Sequence, residues 1–168
     1  MASSETFDIT TGCDLQEVDN AVNQTLKELG QRFDFRDVKF DISLDRQAGN
    51  IGIQADDEYK LNAIWDVLHT KMIRRKVPVK NMQRGDVQSA AGMAVRQTIE
   101  LQQSISTDTA KEIVKYIKEK KLKKVQATIQ KEQVRIASNS RDSLQEVMGM
   151  LRAEDFGVEL QFGNFRSK

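Results

Sequence analysis

Several residue types that mark secreted, metal-binding or membrane proteins are scarce in this sequence. Cys13 is the only cysteine, which excludes an internal disulfide, and no cysteine–histidine spacing matches a zinc site. The apolar runs are only a few residues long, far short of the roughly 20 residues that a membrane helix needs. The amino terminus lacks the basic start and apolar stretch of a signal peptide. We therefore expect a cytoplasmic protein that does not associate with a membrane.

The sequence also lacks an excess of charge of one sign, and it has few side chains typical of catalysis. Lys and Arg number 26 against 25 Asp and Glu, so any nucleic-acid surface must be a local patch. His69 is the only histidine, and its place beside an apolar helical stripe favours a helix-surface role over that of a general base. Neither a phosphate-binding glycine loop nor a zinc-protease motif occurs. The sequence therefore predicts a protein that is not an enzyme and that uses no metal and no cofactor.

The sequence contains one structural unit twice. Residues 123–151 repeat the pattern of residues 38–68, and an offset of 83 residues places Ile136 on Ile53. Both copies predict strand, turn, strand and helix, because alternating apolar residues are followed by apolar residues at helical spacing. Each half of the chain extends this pattern to the order β-α-β-β-α-β. The duplication predicts an α+β protein of two ferredoxin-like domains, each an antiparallel sheet with helices on one face.

Capping and turn residues predict where these elements begin and end. Helices are expected to start after Asp14, after Asp56 or Asp57, after Ser106, Thr107 or Asp108, and near Ser140. The only proline, Pro78, lies in an extended piece over residues 76–82 and predicts an edge strand, because proline donates no ladder hydrogen bond. Small polar residues at 85–92 predict a linker. The expected domains are therefore residues 1–88 and residues 89–168.

Blocks along nearly the whole chain resemble one family of bacterial proteins. They are FDI at 7–9, DLQEVDNAV at 14–22, RFDFRDV at 32–38, TAKEIVKYIKEKKLKKVQATIQ at 109–130, SRDSLQEVM at 140–148 and QFGNFR at 161–166. In this order they resemble the YajQ family. The resemblance implies two ferredoxin-like domains and, as an alternative, an exchange of their C-terminal strands. The strand at 158–162 would then complete the first sheet, so that residues 156–168 join the first domain and residues 89–155 form the second.

The resemblance also implies a function. The family is regarded as nucleotide-binding. Some members are described as cyclic di-GMP effectors that act through transcription regulators, and others as nucleic-acid-related factors. For this chain it implies a non-enzymatic regulator whose ligand is a nucleotide or cyclic di-GMP. The implied downstream partner is a protein, such as a transcription regulator, or DNA.

Two segments combine aromatic with basic residues and are the candidate nucleotide site. The residues are Arg32, Phe33, Phe35 and Arg36 in the first segment and Asn164, Phe165 and Arg166 in the second. A base can stack on a phenylalanine or a guanidinium plane, and arginine pairs with phosphate or with the edge of guanine. If the C-terminal strand returns to the first domain, both segments could lie at a domain boundary, where ligand clefts are common. The alternative is that the first two phenylalanines anchor the corner between helix and strand and the third closes the core.

A lysine-rich helix is the second candidate surface. The predicted phosphate contacts are Lys111, Lys115, Lys118, Lys121, Lys123 and Lys124. Such point charges position nucleic acid without reading sequence, and binding weakens steeply with salt. The alternative is a solvated helix face, because lysines near a helix C-terminus complement the helix dipole. The outward positions of the central strands hold no aromatic platform, so base stacking of the RNA-recognition type is not expected. An RNA- or protein-interaction module that binds through this helix or an open sheet face therefore remains the second function.

Overall fold

The structure, a computed structural model, describes residues 4–122 and 124–167. The helices within these residues are α1 Leu15–Gln31, α2 Glu58–Arg74, α3 Thr107–Glu119 and α4 Arg141–Ala153. The strands are β1 Glu5–Thr10, β2 Asp41–Asp45, β3 Asn50–Ala55, β4 Met82–Arg84, β5 Gln88–Ser89, β6 Val95–Leu101, β7 Val125–Gln130, β8 Gln133–Ser138 and β9 Gln161–Ser167. They form two antiparallel sheets with repeated helix–hairpin–helix units, which confirms the predicted ferredoxin-like α+β class.

Each α-helix begins at a side-chain cap that the sequence predicts. Asp14 accepts hydrogen bonds from two backbone N–H groups in the first turn of α1. Asp57, Ser106 and Ser140 each accept one such bond at the start of α2, α3 and α4. A cap of this kind contributes about 1 kcal/mol by satisfying a backbone donor that has no partner within the helix. The local chemistry of the sequence therefore fixes where the helices start.

Residues 13–103 form one compact unit. Its sheet has the strand order β2-β3-β6-β4, and β5 also pairs with β6. Ile51 and Ile53 of β3 and Ile99 of β6 are at most 1% exposed, and Ile51 lies opposite Ile99 in the register of the two strands. Leu61 and Leu68 of α2 and Leu29 of α1 pack in the same core.

The second unit joins the N-terminal residues to everything from Ser104 onward. Its sheet has the strand order β7-β8-β1-β9. Phe7 of β1 and Ile136 of β8 are opposite each other and fully buried beneath α3 and α4. The pairing of β1 with β9 shifts register between Thr6 and Asp8, which places a β-bulge in β9.

The first strands of the two repeats are exchanged. β1 lies between β8 and β9 in the sheet of the second repeat, whereas β6 lies between β3 and β4 in the sheet of the first. The C-terminal strand does pair with the N-terminal strand, but within the sheet of the second half, and it spans Gln161–Ser167 rather than residues 158–162. The compact units therefore differ from the boundaries expected at residues 88 and 155, and residues 13–103 are the inserted unit. Alternating apolar and polar residues show that a strand has one buried face, but they do not show to which of two sheets the strand belongs.

Two segments before β6 also differ from the prediction. Residues 85–92 were expected as a linker, yet they contain β5, which pairs with β6 inside the unit of residues 13–103. Pro78 precedes a short 3₁₀-helix at Val79–Asn81, so the strand begins only at Met82. β4 ends the strand order of its sheet, so the strand of this segment is at an edge as predicted, but Pro78 itself lies outside it.

Candidate functional site

The first aromatic and basic segment forms a short 3₁₀-helix, Phe33–Phe35, directly after α1. Its two phenylalanines have opposite environments. Phe35 is 4% exposed and packs edge-to-face on Phe40, with 5.3 Å between the ring centroids. Phe33 is 83% exposed. The corner-anchoring alternative therefore describes Phe35, whereas the ring of Phe33 is open to solvent and to a ligand.

Three cations lie around this turn. Arg32 forms a bidentate ion pair with Asp34, with 2.7 Å between Nη2 and Oδ2 and 3.0 Å between Nε and Oδ1. This hydrogen-bonded pair is the main cause that lowers the pKa of the Asp34 carboxyl. Lys60, in the first turn of α2, donates a hydrogen bond to the backbone carbonyl of Asp34. The guanidinium of Arg36 lies 5.9 Å from the ring centroid of Phe33, and Arg36 forms no ion pair among residues 4–122 and 124–167.

A second exposed ring lies beside Lys60. Tyr59 is 78% exposed, and the ammonium of Lys60 lies 6.0 Å from its ring centroid. We call Phe33, Arg36, Tyr59 and Lys60 the aromatic–cationic patch. Exposed rings can stack on bases, and neighbouring cations can pair with phosphate. The sequence prediction missed Tyr59 and Lys60 because they belong to the next helix, although an aromatic–lysine pair just after a capping Asp57 was a visible signal.

The second aromatic and basic segment lies in β9, in the other compact unit. Asn164 has a φ of 53° and donates a hydrogen bond to the carboxylate of Asp8 in β1. Arg135 of β8 binds the same carboxylate, with 2.9 Å between Nε and Oδ1. The hydrogen bond from Arg135 is the main cause that lowers the pKa of Asp8, which is only 3% exposed. Arg166 donates to the side-chain oxygen of Asn164 at 3.2 Å, so two of the three predicted residues belong to a polar network around Asp8.

Phe165 is the third predicted residue of that segment. It is 61% exposed, and its ring centroid lies 5.9 Å from that of buried Phe7. It therefore extends the core at one edge without closing it. Together with Arg166 it borders a cavity of about 350 Å³ whose apolar wall includes Met148 of α4. The seven predicted residues thus divide between the two units, four in residues 13–103 and three in the other, and we treat them as separate candidate sites.

The lysine-rich surface is present on α3. Lys111, Lys115 and Lys118 are exposed and border a groove of about 520 Å³. Lys115 also pairs with Glu119 at 3.9 Å. Lys121 and Lys124 follow the helix with positive φ angles of 51° and 67° and are exposed too. Lys123 lies outside the described residues.

A groove between α1 and α2 was not predicted from the sequence. At about 690 Å³ it exceeds the volumes of the cavities at β9 and at α3. Its lining residues are Glu17, Gln24, Lys27, Glu28, Gln31, Lys71, Arg74, Arg75 and Lys76. Two of its cations are already paired, Lys71 with Glu28 at 3.0 Å and Arg75 with Glu17 at 3.1 Å. The basic run at the end of α2 was the available sequence signal.

The only histidine and the only cysteine of the sequence both have ordinary surroundings. The ring of His69 lies 5.4 Å from that of Trp65, one helical turn earlier in α2. Cys13 is buried, and its backbone N–H donates to the side chain of Gln103 at 2.6 Å. Within the described part of the chain, no group of three or more His, Cys, Asp or Glu side chains is placed to hold a metal ion. None of the described helices combines the length and apolar character needed to span a membrane.

The fold defines a class: a duplicated ferredoxin-like α+β protein with exchanged first strands, carrying aromatic and cationic groups on its surface. More specifically, the chain belongs to the YajQ family, because residues 5–166 match the family described as "Nucleotide-binding protein YajQ-like".

Curated relatives match over nearly the full length of both chains. A nucleotide-binding protein of Trichlorobacter lovleyi is 49% identical over 160 residues, covering 95% of this chain and 98% of the relative. One from Koribacter versatilis is 47% identical over 165 residues, covering 98% and 99%. One from Heliobacterium modesticaldum is 46% identical over 167 residues, covering 99% and 100%. The names of these relatives describe binding proteins rather than enzymes.

Proposed function

We propose that this chain is a non-enzymatic nucleotide-binding regulator that uses the aromatic–cationic patch as its binding site. The proposed ligand is cyclic di-GMP or a purine mononucleotide, and the proposed downstream partner is a protein or DNA. The names of the relatives support nucleotide binding in general. The exposure of Phe33 supports this particular location.

The exposed ring of Phe33 is the observation that carries the proposal. At 83% exposure this side chain contributes little to the core, yet it stands beside a guanidinium that has no carboxylate partner among the described residues. A purine stacked on Phe33 would bury apolar area on both rings. Arg36 could then pair with a phosphate or with the O6 and N7 atoms of guanine. Tyr59 offers a second exposed ring, on which the other purine of a dinucleotide could stack.

A two-step experiment tests this function. Thermal-shift measurements with cyclic di-GMP, GTP and ATP first identify which nucleotide raises the melting temperature, because a ligand that binds only the folded state stabilises it. That nucleotide is then titrated into the wild type, Arg36→Ala and Arg166→Ala, with Arg46→Ala as an exposed-arginine control in the same unit as Arg36.

The variants have distinct expected results. We expect weaker binding by Arg36→Ala and unchanged binding by the control. A loss in Arg166→Ala but not in Arg36→Ala would assign binding to the β9 segment and contradict a site at the aromatic–cationic patch. No nucleotide-dependent shift, or unchanged affinity in both arginine variants, would contradict the proposal.

The exposed lysines of α3 favour a second function, an interaction module without a small ligand. Lys111 and Lys118 form no ion pair among the described residues and lie on one helix face with Lys115. If they contact RNA phosphates, reversing both charges should reduce the slope of log affinity against log salt by about 1.4, at about 0.7 for each phosphate contact on single strands. RNA binding with a salt slope that the double variant does not change would exclude this face.

A further inference from the structure

The two sheets have four edges, and three of them carry features that discourage pairing with another chain. β2 has an aspartate at each end, Asp41 and Asp45. β4 is three residues long and contains Arg84. β9 is interrupted by its bulge and contains Arg166. Charges, short length and bulges are the usual means by which proteins protect edge strands.

The fourth edge, β7, has none of these features. Its six residues, VQATIQ, include no charged residue and no proline. It pairs with β8 in continuous register from Val125 to Gln130, without a bulge. β7 ends the strand order of its sheet, so its outer backbone edge faces away from β8. An uncharged edge strand without a bulge is a template for the addition of another strand.

The helix face beside β7 is incompletely covered. Ile129 is 42% exposed, although it lies opposite buried Val134 of β8 and thus on the core side of the sheet. Together with Val114 of α3 it forms the apolar floor of the groove of about 520 Å³. The exposed lysines of α3 form the rim of the same groove. The unprotected edge of β7 therefore lies beside a groove that combines apolar side chains with lysines.

We propose that β7 and this groove receive an extended acidic segment of a partner protein, which adds as a fifth strand to the sheet. Its backbone would pair with the free edge of β7. An apolar side chain on its helix-facing side would cover Ile129 and Val114, and flanking acidic side chains would pair with Lys111 and Lys118. This surface would serve the protein partner that the proposed function invokes, but it does not depend on the nucleotide site.

Charge and shape select this occupant over two others. A second copy of this chain paired through β7 would bring two lysine faces together, since α3 flanks β7, and like charges would oppose the pairing. Single-stranded nucleic acid could use the lysines, but the groove offers aliphatic Ile129 and Val114 where such sites usually place stacking aromatic rings. An acidic strand can pair with the backbone of β7, cover Ile129 and Val114 and bind the lysines of α3 at the same time.

The test uses a fluorescent peptide of about seven residues, within the usual length of a single strand, with glutamate, valine and glutamate at its second, fourth and sixth positions and threonine at the others. Because successive side chains of a strand alternate between its faces, the valine and both glutamates then share the helix-facing side. Two matched probes carry lysine in place of glutamate, or N-methyl groups at alternate backbone nitrogens. Binding to the full-length chain is measured by fluorescence anisotropy without nucleotide, so failure of this surface is distinguishable from failure of the nucleotide site. Hydrogen exchange of the amides at 125–130 reports on strand addition.

We expect the glutamate probe to bind and to slow exchange at 125–130, and both matched probes to bind at least tenfold more weakly. Ile129→Glu, which gives the edge a charge that repels the acidic probe, and the double variant Lys111→Glu with Lys118→Glu should also weaken binding at least tenfold. Lys27→Glu with Lys39→Glu changes the net charge equally in the other unit and should leave binding unchanged.

Three results would overturn the proposal. One is equal binding of the glutamate and N-methylated probes, which needs no variant to fold correctly. Another is unchanged exchange at 125–130 with the peptide bound. The third is protection of these amides by a single-stranded oligonucleotide but not by the peptide, which would assign the surface to nucleic acid.

Discussion

Two phenylalanines separated by a single residue should respond in opposite ways to truncation. Phe35 is 4% exposed and packs on Phe40, whereas Phe33 is 83% exposed. Replacing a buried phenylalanine with alanine removes its transfer free energy and leaves a cavity, at a cost of about 3–5 kcal/mol. A substitution at an exposed position usually changes stability by less than about 0.5 kcal/mol. We therefore predict that Phe35→Ala is strongly destabilising and that Phe33→Ala is nearly neutral.

The surroundings of Phe35 place its loss within that range. The ammonium of Lys60 and the guanidinium of Arg32 lie 5.0 Å and 5.4 Å from its ring centroid, so truncation also removes two cation–π contacts. Both cations are partly open to solvent, and such contacts are worth about 0.5–1 kcal/mol each at exposed sites. A loss of about 4 kcal/mol is a large part of the 5–15 kcal/mol that typically stabilises a folded domain.

Urea denaturation followed by tryptophan fluorescence measures this contrast. Trp65 is the only tryptophan and lies in the same compact unit as both phenylalanines, so it reports on the unit that the substitutions affect. Phe40→Ala provides a comparison for the other member of the aromatic pair. Similar losses in Phe33→Ala and Phe35→Ala would refute the reasoning, because Phe33 would then be packed and unavailable for stacking.

Two further predictions concern the second unit and the strand exchange. The hydrogen bond from Arg135 lowers the pKa of Asp8 in the folded state, so this pair stabilises the fold above the unfolded pKa of about 3.9. The excess stability of the wild type over Asp8→Asn, measured by urea denaturation across pH, should decrease as pH falls below about 4; a pH-independent difference would contradict this. Because residues 13–103 contain all strands of their sheet, that fragment should unfold cooperatively on its own, whereas residues 104–168 lack central strand β1 and should not show a cooperative transition. Thermal unfolding of both fragments, followed by circular dichroism, checks this. A cooperative transition of the isolated fragment 104–168 would contradict the exchange of the first strands.

The features predicted correctly from the sequence are governed by local chemistry. The caps at Asp14, Asp57, Ser106 and Ser140 were predictable because a capping side chain bonds backbone groups two or three residues away. The duplicated hairpins and helices were predictable because hydrophobic periodicity reports on one element at a time. The assignment of β1 and β6 was not, since either strand satisfies the alternation that either sheet requires.

The candidate site shows the same limit at smaller scale. Phe33 and Phe35 are chemically identical, and the 3₁₀ turn that buries one and exposes the other is not encoded in their residue type. Tyr59 and Lys60 join the patch only because α2 begins beside the end of α1. Conversely, the β9 segment contained the predicted residue types, but the structure uses Asn164 and Arg166 in the network around Asp8.

Titration of cyclic di-GMP, GTP and ATP into the wild type and Phe33→Ala tests the central claim most directly. Base stacking contributes about 1–3 kcal/mol, so the nucleotide that binds should bind Phe33→Ala about five- to 150-fold more weakly. Denaturation should show that the stability of the variant is unchanged. Equal affinity of the two proteins would contradict a nucleotide site built on the aromatic–cationic patch.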